Sequence, residues 1–173
     1  QIHQISREIA FWMFENNPDE ASIPREEYEN ICNLVMQESK QLNENIKQDF
    51  KIGNYFKSIK HCEGIDIEKL FFVHRSIYEY FVAEFIFESI NQFNSEKKIA
   101  CALGELLKGN ILPNQILKCM KHKVMKRELY GYDGMFEKIC KSFQIMLQNG
   151  MTYFTKKRYK DIIKSELNVF ANI

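Results

Sequence analysis

The chain has 173 residues, of which 45% are hydrophobic and 27% charged, and its net charge at pH 7 is +1. A chain of this size can bury a core without disulfides, and no apolar run approaches the roughly 18 residues that a membrane span needs. Five cysteines without a C-x-x-C pair argue against a disulfide framework, so we expect a cytoplasmic, helix-rich globular protein with reduced thiols.

Charge is distributed unevenly along the sequence. Residues 1–50 carry 4 basic and 10 acidic side chains, whereas residues 97–173 carry 15 basic and 6 acidic ones. An acidic front and a basic back can bind each other, a sister subunit or an anionic partner. Solvated helix faces explain the same distribution without any partner.

The first 64 residues show the apolar spacing of amphipathic helices. Ile5, Ile9 and Met13 recur at helical spacing, and Pro18 forbids continuation of that helix. A second helical stripe consists of Tyr28, Ile31, Leu34 and Val35. The predicted elements are a helix over residues 2–16, a short strand over 21–23, a helix from Pro24 to about Ser39, a helix over 43–50 and a turn at 61–64.

The stretch LFFVHRSIYEYFVAEFIFESIN, residues 70–91, changes its apolar period part of the way along. Its first residues alternate, which predicts a short strand with Leu70, Phe72 and His74 on one face. Its later residues are apolar nearly all round a helix, which indicates a helix inside a domain. The polar sector of that helix holds Glu84, Glu88 and Asn91.

The start of this central helix is predicted from a capping box. Ser76 and Glu79 have the required spacing, in which the hydroxyl binds the backbone N–H three residues on and the carboxylate reaches back to the cap. Ser76 and Glu79 are therefore the predicted capping residues, and the helix is expected to begin at Ile77.

Residues 72–83, FVHRSIYEYFVA, resemble the signature F-x-H-x-S/T-F-Q-E-Y/F-F-A-A that closes the winged-helix part of NACHT-type NTPases, the STAND family of signalling ATPases. Ile77, Tyr78 and Val82 depart from the usual Phe, Gln and Ala. The resemblance implies a mainly α chain: a winged-helix domain with a small β-hairpin over residues 1–92, followed by an α-helical bundle domain over residues 93–173.

His74 is the residue to which the resemblance assigns a role. It precedes a helix N-terminus, where unpaired N–H groups and the helix dipole favour an anion. By resemblance, His74 contacts the β-phosphate of bound ADP in the resting state, and Arg75 is a weaker candidate for the same contact. The alternative is a histidine that only hydrogen-bonds within the strand-to-helix corner.

The resemblance implies a non-catalytic regulatory fragment of a signalling ATPase of the kind found in bacterial defence. Such a fragment senses the ADP or ATP state and controls opening and homo-oligomerisation of the parent protein. The parent would bind ATP or ADP with Mg in an upstream nucleotide-binding domain and carry a downstream sensor domain. The start at Gln1 rather than Met fits a fragment, and no G-x-x-x-x-G-K-[ST] motif occurs, so we expect no ATP hydrolysis by this chain alone.

The second half of the sequence reads as further helices without an internal repeat. Ser95 is a predicted N-cap and Pro113 a predicted helix opening, while Gly109, Gly134 and Gly150 are predicted breaks. The predicted elements are helices from Ser95 to about Lys108, from Pro113 onward, from about Met135 to Gly150, and from about Lys156.

A winged-helix regulator that binds DNA is the alternative function. Its recognition helix should be basic, but the predicted third helix offers only Lys47 against Glu44 and Asp49. Two basic clusters elsewhere have the residue types that contact phosphates, although such lysines are usually the wet side of helices. These clusters are Lys118, Lys121, Lys123, Lys126 and Arg127, and Lys156, Lys157, Arg158 and Lys160.

A zinc site is not expected. Cys119 and His122 lie one helical turn apart, and His61 and Cys62 form a second possible half-site. Structural zinc sites show two tight ligand pairs with regular spacing, which is not the pattern here.

Overall fold

The computed structural model describes residues 2–38, 55–60, 68–107, 110, 112–128 and 134–148. Within these ranges the chain is mainly α, as the sequence predicts, and it has six helices and one small antiparallel sheet of three strands. The helices are α1 (Ile2–Asn16), α2 (Arg25–Glu38), α3 (Arg75–Asn91), α4 (Glu96–Leu107), α5 (Asn114–Glu128) and α6 (Met135–Gln148); the strands are β1 (Ser22–Pro24), β2 (Phe56–Lys60) and β3 (Glu68–Phe72).

The chain divides into two compact units, Gln1–Val82 and Ala83–Ile173, so the division falls within α3. The predicted boundary at residue 92 between a winged-helix and a helical domain stays a prediction. The predicted helices over residues 43–50 and from Lys156, and the turn at 61–64, lie outside the described residues. No described helix combines the length and the apolar character that crossing a bilayer requires.

In the first unit, α1 packs through its predicted stripe. Ile5, Ile9 and Met13 are almost completely buried, and the helix ends at Asn16, ahead of Pro18. The short predicted strand is confirmed as β1, whose Ile23 is fully buried and pairs with Leu70. The strand order is β1-β3-β2, so β3 is central and is hydrogen-bonded on both sides.

Helix α2 follows Pro24 directly, and its buried face differs from the predicted stripe at one position. Tyr28, Cys32 and Val35 are buried, whereas Leu34 is 62% exposed. Residues four and seven apart lie on one side of a helix, and Leu34 lies off that side, so the stripe was assigned too broadly.

A group of polar side chains fastens the connection between α1 and β1 to β3. Lys69 Nζ lies 2.8 Å from Glu20 Oε2, and Asn17 Nδ2 donates to the same carboxylate at 3.0 Å. Ser22 Oγ donates to it as well, at 2.9 Å. The hydrogen bond from Lys69, followed by that from Asn17, lowers the pKa of Glu20 from 4.5 to about 2. Glu20 is therefore charged at neutral pH and holds this connection in place.

The second unit is built from helices whose apolar faces meet. Helices α4 and α6 pack extensively, and Ser142 Oγ on α6 donates to the Glu96 carbonyl at the start of α4, 2.9 Å away. The predicted cap at Ser95 is confirmed, because its carbonyl accepts the first helical hydrogen bond from Ile99 N at 3.0 Å. The predicted break at Gly134 is confirmed by a backbone φ of 83°. The largest fully buried side chains here are Ile86, Ile90, Ile99, Leu103, Ile116, Met120 and Ile139.

Glu84 and Lys123 form an ion pair inside the second unit. Lys123 Nζ on α5 lies 2.5 Å from Glu84 Oε1 on α3, and the two side chains are only 15% and 11% exposed, respectively. The grouping of Glu84 with Glu88 in a polar sector does not make it a surface residue, and Lys123 does not face water with the rest of its predicted basic cluster. Each of the two charges is paired with the opposite charge on the other helix, which explains why both side chains are largely buried.

The backbone at Ala21 predicts a stability change in the first unit. Its φ of 51° is in the left-handed region, which costs an L-residue about 1–2 kcal/mol. We expect Ala21→Gly to raise the free energy of unfolding by about 0.5–1 kcal/mol in urea melts, since the extra unfolded-state entropy of glycine offsets part of the relief. Ala21→Val should lower it, and a destabilised glycine variant would contradict the interpretation.

The ion pair predicts a stability change in the second unit. Lys123→Met removes an ammonium from a largely buried carboxylate, so we expect a loss of about 1–3 kcal/mol in thermal or urea unfolding. The double variant Glu84→Leu/Lys123→Met should recover much of that loss, because no uncompensated charge remains. Lys98→Met, at an exposed position on α4, is the matched control and should stay within about 0.5 kcal/mol.

Candidate functional site: the corner between β3 and α3

The corner consists of two residues, Val73 and His74, between the end of β3 and the start of α3. Val73 N donates to the Tyr55 carbonyl at 2.7 Å, which extends the sheet pairing one residue beyond the strand. The His74 carbonyl accepts hydrogen bonds from Ile77 N at 3.1 Å and Tyr78 N at 3.5 Å. His74 is thus the residue that caps α3, and the chain turns sharply at this point.

The start of α3 differs from the prediction. The helix begins at Arg75, two residues before Ile77, so Ser76 is its second residue rather than the residue before it. The carboxylate predicted to reach back to Ser76 has a different partner: Glu79 Oε1 lies 3.3 Å from Arg75 Nε. Because the strand ends at Phe72, the alternation does not continue to His74, which is exposed whereas Phe72 is buried.

The His74 side chain is exposed at this corner, and Arg75 next to it has a 61% exposed side chain. Another domain or molecule can therefore contact both side chains. Arg75 also forms an ion pair with Glu79, one turn further along the helix, and this pair partly offsets the charge of the guanidinium. An exposed imidazole and guanidinium beside the N-terminus of a 17-residue helix is an arrangement that suits an anionic group.

Aromatic packing beneath the corner fixes its geometry. Phe72, Tyr78 and Phe81 are all at most 5% exposed, and the Phe72 ring centroid lies 6.2 Å from that of Tyr78 and 5.9 Å from that of Phe81. Phe56 on β2 packs against Phe72 with the ring centroids 4.4 Å apart and the ring planes tilted by 43°. Burial raises the pKa of Tyr78 to about 12, so its phenol stays neutral. The corner therefore rests on a well-packed apolar base.

Three exposed apolar side chains belong to the segments that meet at this corner, and the sequence reasoning did not single them out. Tyr55, Val73 and Tyr80 are each 37–41% exposed. The rings of Tyr55 and Tyr80 both meet Phe81 edge-on, at centroid distances of 5.9 and 5.5 Å. The sequence analysis describes this helix as apolar nearly all round and gives Tyr80 no separate role. The signal that could have identified it is its place one turn after Ser76, which is exposed at the start of α3.

The residues considered as possible zinc half-sites are only partly within the described residues. Cys119 is half-buried and His122 is exposed on α5, while His61 and Cys62 lie outside the described residues. Among the residues that are described, no group of three His, Cys, Asp or Glu side chains is placed to hold a metal ion.

Comparison of the chain with models of known protein families, with curated proteins and with solved structures found no match. The likeness of residues 72–83 to the NACHT signature is thus a resemblance of a short motif.

The capping position of His74 leads to a stability prediction. Histidine is not among the preferred N-cap residues, whereas aspartate accepts hydrogen bonds from the first-turn N–H groups and complements the helix dipole. We expect His74→Asp to raise the free energy of unfolding of the chain by about 0.5–1 kcal/mol. The same change at the exposed His122, inside α5, should give no stabilisation. An unchanged or lower melting temperature for His74→Asp would argue that His74 stabilises the corner itself.

Proposed function

We propose that this chain is the regulatory winged-helix and helical region of a NACHT-type STAND ATPase, in which His74 contacts the β-phosphate of bound ADP. In this proposal the parent's upstream nucleotide-binding domain carries the nucleotide and Mg. The contact holds the parent closed until ADP is exchanged for ATP, after which it opens and forms a homo-oligomer. The chain itself performs no catalysis.

The observation that carries the proposal is the exposure of His74 at the capping position of α3. The signature places a histidine at this position, and a side chain buried under the aromatic residues could not reach a nucleotide on another domain. An imidazole N–H can donate to a phosphate oxygen, and the helix N-terminus adds a favourable field for the negative charge.

Two further features support the proposal. The described order of a helix, a short strand, a helix and two antiparallel strands matches the winged-helix order of a helix, a short strand, two helices and a hairpin, except that the predicted third helix over residues 43–50 lies outside the described residues. In addition, the segments that meet at the corner carry the exposed apolar side chains Tyr55, Val73 and Tyr80, a residue type that domain interfaces use.

A nucleotide-dependent latch works only if the corner binds one nucleotide state better than the other. Coupling of this kind typically amounts to about 1–3 kcal/mol, which corresponds to an affinity change of roughly 5- to 150-fold. A single charge-assisted hydrogen bond supplies energy in this range, about 1.5–3 kcal/mol. One histidine is therefore sufficient to bias the switch.

The test is ADP release from the full-length parent that carries His74→Ala. We expect release to be about 5- to 150-fold faster in a stopped-flow chase with a fluorescent ADP analogue, together with self-association without the activating signal. His122→Ala, which removes an exposed histidine elsewhere, should leave release unchanged. Arg75→Ala should have a smaller effect than His74→Ala, since Arg75 is paired with Glu79.

Unchanged ADP retention in the His74→Ala parent would remove His74 from the mechanism. Binding of the chain to duplex DNA that weakens steeply with salt would favour the DNA-binding alternative instead.

A further inference from the structure

Helix α5, on the second unit, has a basic exposed face. The helix contains five basic residues and one acidic residue, Glu128, at its end. Its buried side chains are apolar: Ile116, Leu117, Met120 and Val124. On a helix of 3.6 residues per turn, the exposed ones among its described side chains fall within a sector of about 120°. They are Asn114, Gln115, Lys118, His122, Met125 and Lys126.

Lys118, His122 and Lys126 form a row along this face. Successive members are four residues apart, which is about 6 Å along the helix axis, so the row is about 12 Å long. In the part of the chain that the structure describes, none of the three forms an ion pair. The two ammonium groups therefore face solvent, where an anion outside the chain can contact them.

The charge pattern of α5 differs from that of three other helices. In α2, α3 and α6, oppositely charged side chains four residues apart form ion pairs: Arg25–Glu29, Arg75–Glu79 and Glu137–Lys141. Such pairs stabilise a helix, whereas like charges one turn apart destabilise it. In α5, Lys118 and Lys121 are three residues apart and carry the same charge, as do Lys123 and Lys126. The charges of α5 therefore do not serve the stability of the helix.

The chemistry of the face favours a polyanion over a protein or a bilayer. Protein interfaces have an apolar centre with aromatic anchors, whereas Met125 is the one large apolar side chain exposed among the described residues of α5. A helix that lies in a bilayer surface inserts its apolar face, but the apolar face of α5 is buried. A row of cations without an anchor that fixes the register suits a partner with a regular row of anions.

We propose that the row on α5 binds the phosphate backbone of double-stranded nucleic acid. Each strand of a duplex carries a phosphate about every 3.4 Å along the axis, so a row about 12 Å long spans three to four phosphates. Lys118 and Lys126 each contact one phosphate, and an imidazole N–H of His122 can donate to another. Phosphate contacts carry no sequence information, so DNA and RNA duplexes of any sequence share the recognised chemistry.

This contact is separate from the proposed nucleotide latch and from the winged-helix alternative. It lies on the second unit and uses no residue of the first. Two or three phosphate contacts give a shallow dependence of affinity on salt, whereas a protein that makes about six to ten contacts shows a steep one. The salt dependence therefore distinguishes the α5 contact from a DNA-binding winged helix.

The experiment measures binding of the chain to fluorescein-labelled duplexes of about 20 base pairs, one of DNA and one of RNA, by fluorescence anisotropy in about 50 to 200 mM NaCl. For the wild-type chain we expect the logarithm of the association constant to fall with the logarithm of the salt concentration with a slope of about −2 to −3, because each phosphate contact contributes about −0.9. Lys118→Ala/Lys126→Ala should reduce that slope by about 2 and weaken binding at least about tenfold at the lowest salt. Lys118→Arg/Lys126→Arg should bind like the wild-type chain, since it keeps both charges.

His122→Lys tests the row by a gain of binding. It places a third fixed charge in the middle of the row, so the slope should steepen by about 1 and both duplexes should bind more tightly. A variant that fails to fold cannot give this result. The matched control is Lys97→Ala/Lys98→Ala, which removes two exposed lysines from α4 of the same unit and should leave the slope unchanged.

Three results would overturn the proposal. An unchanged slope in Lys118→Ala/Lys126→Ala would place the contact elsewhere, in the first unit or at the basic residues 156–160. An equal loss of slope in the α4 control would show that net charge, rather than the row, attracts the duplex. Absence of binding to either duplex at the lowest salt would refute the contact outright, and binding to phosphatidylserine vesicles that Lys118→Ala/Lys126→Ala abolishes would then identify lipid headgroups as the anion.

Discussion

The packing of Phe72 against Tyr78 and Phe81 is the contact on which the rest of the first unit depends. It joins the end of the central strand to the first turns of α3, and with Phe56 it closes the apolar layer beneath the corner. Aromatic side chains bury a large area with few rotatable bonds, so such a cluster fixes a chain reversal firmly. Val73 and His74, the two residues at the turn, can therefore be selected for function rather than for stability.

His74 illustrates that freedom. The position that caps a helix favours Ser, Thr, Asp or Asn, and histidine gains little there. A residue that is unfavourable for its local structure is expected where it serves a function, because the rest of the structure can compensate for a small local loss of stability. At this corner the compensation comes from the buried rings and from the ion pair between Arg75 and Glu79, which supports the first turn. The proposed phosphate contact gives a reason for the choice.

The sequence was informative where a local pattern determines the structure. The apolar period of α1, the proline that ends it and the cap at Ser95 are local, and each was predicted correctly. The start of α3 was misplaced because Ser76 and Glu79 fit a capping box, while Arg75, which precedes both, competes for the same carboxylate.

The ion pair between Glu84 and Lys123 lay beyond prediction, because its partners are 39 residues apart and each looks like a surface charge by itself. The exposure of Leu34 and Tyr80 has the same origin, since periodicity reports which face is apolar but not how much of that face a neighbour covers. The motif therefore singled out His74 as the candidate residue, but the sequence did not predict which apolar side chains are exposed.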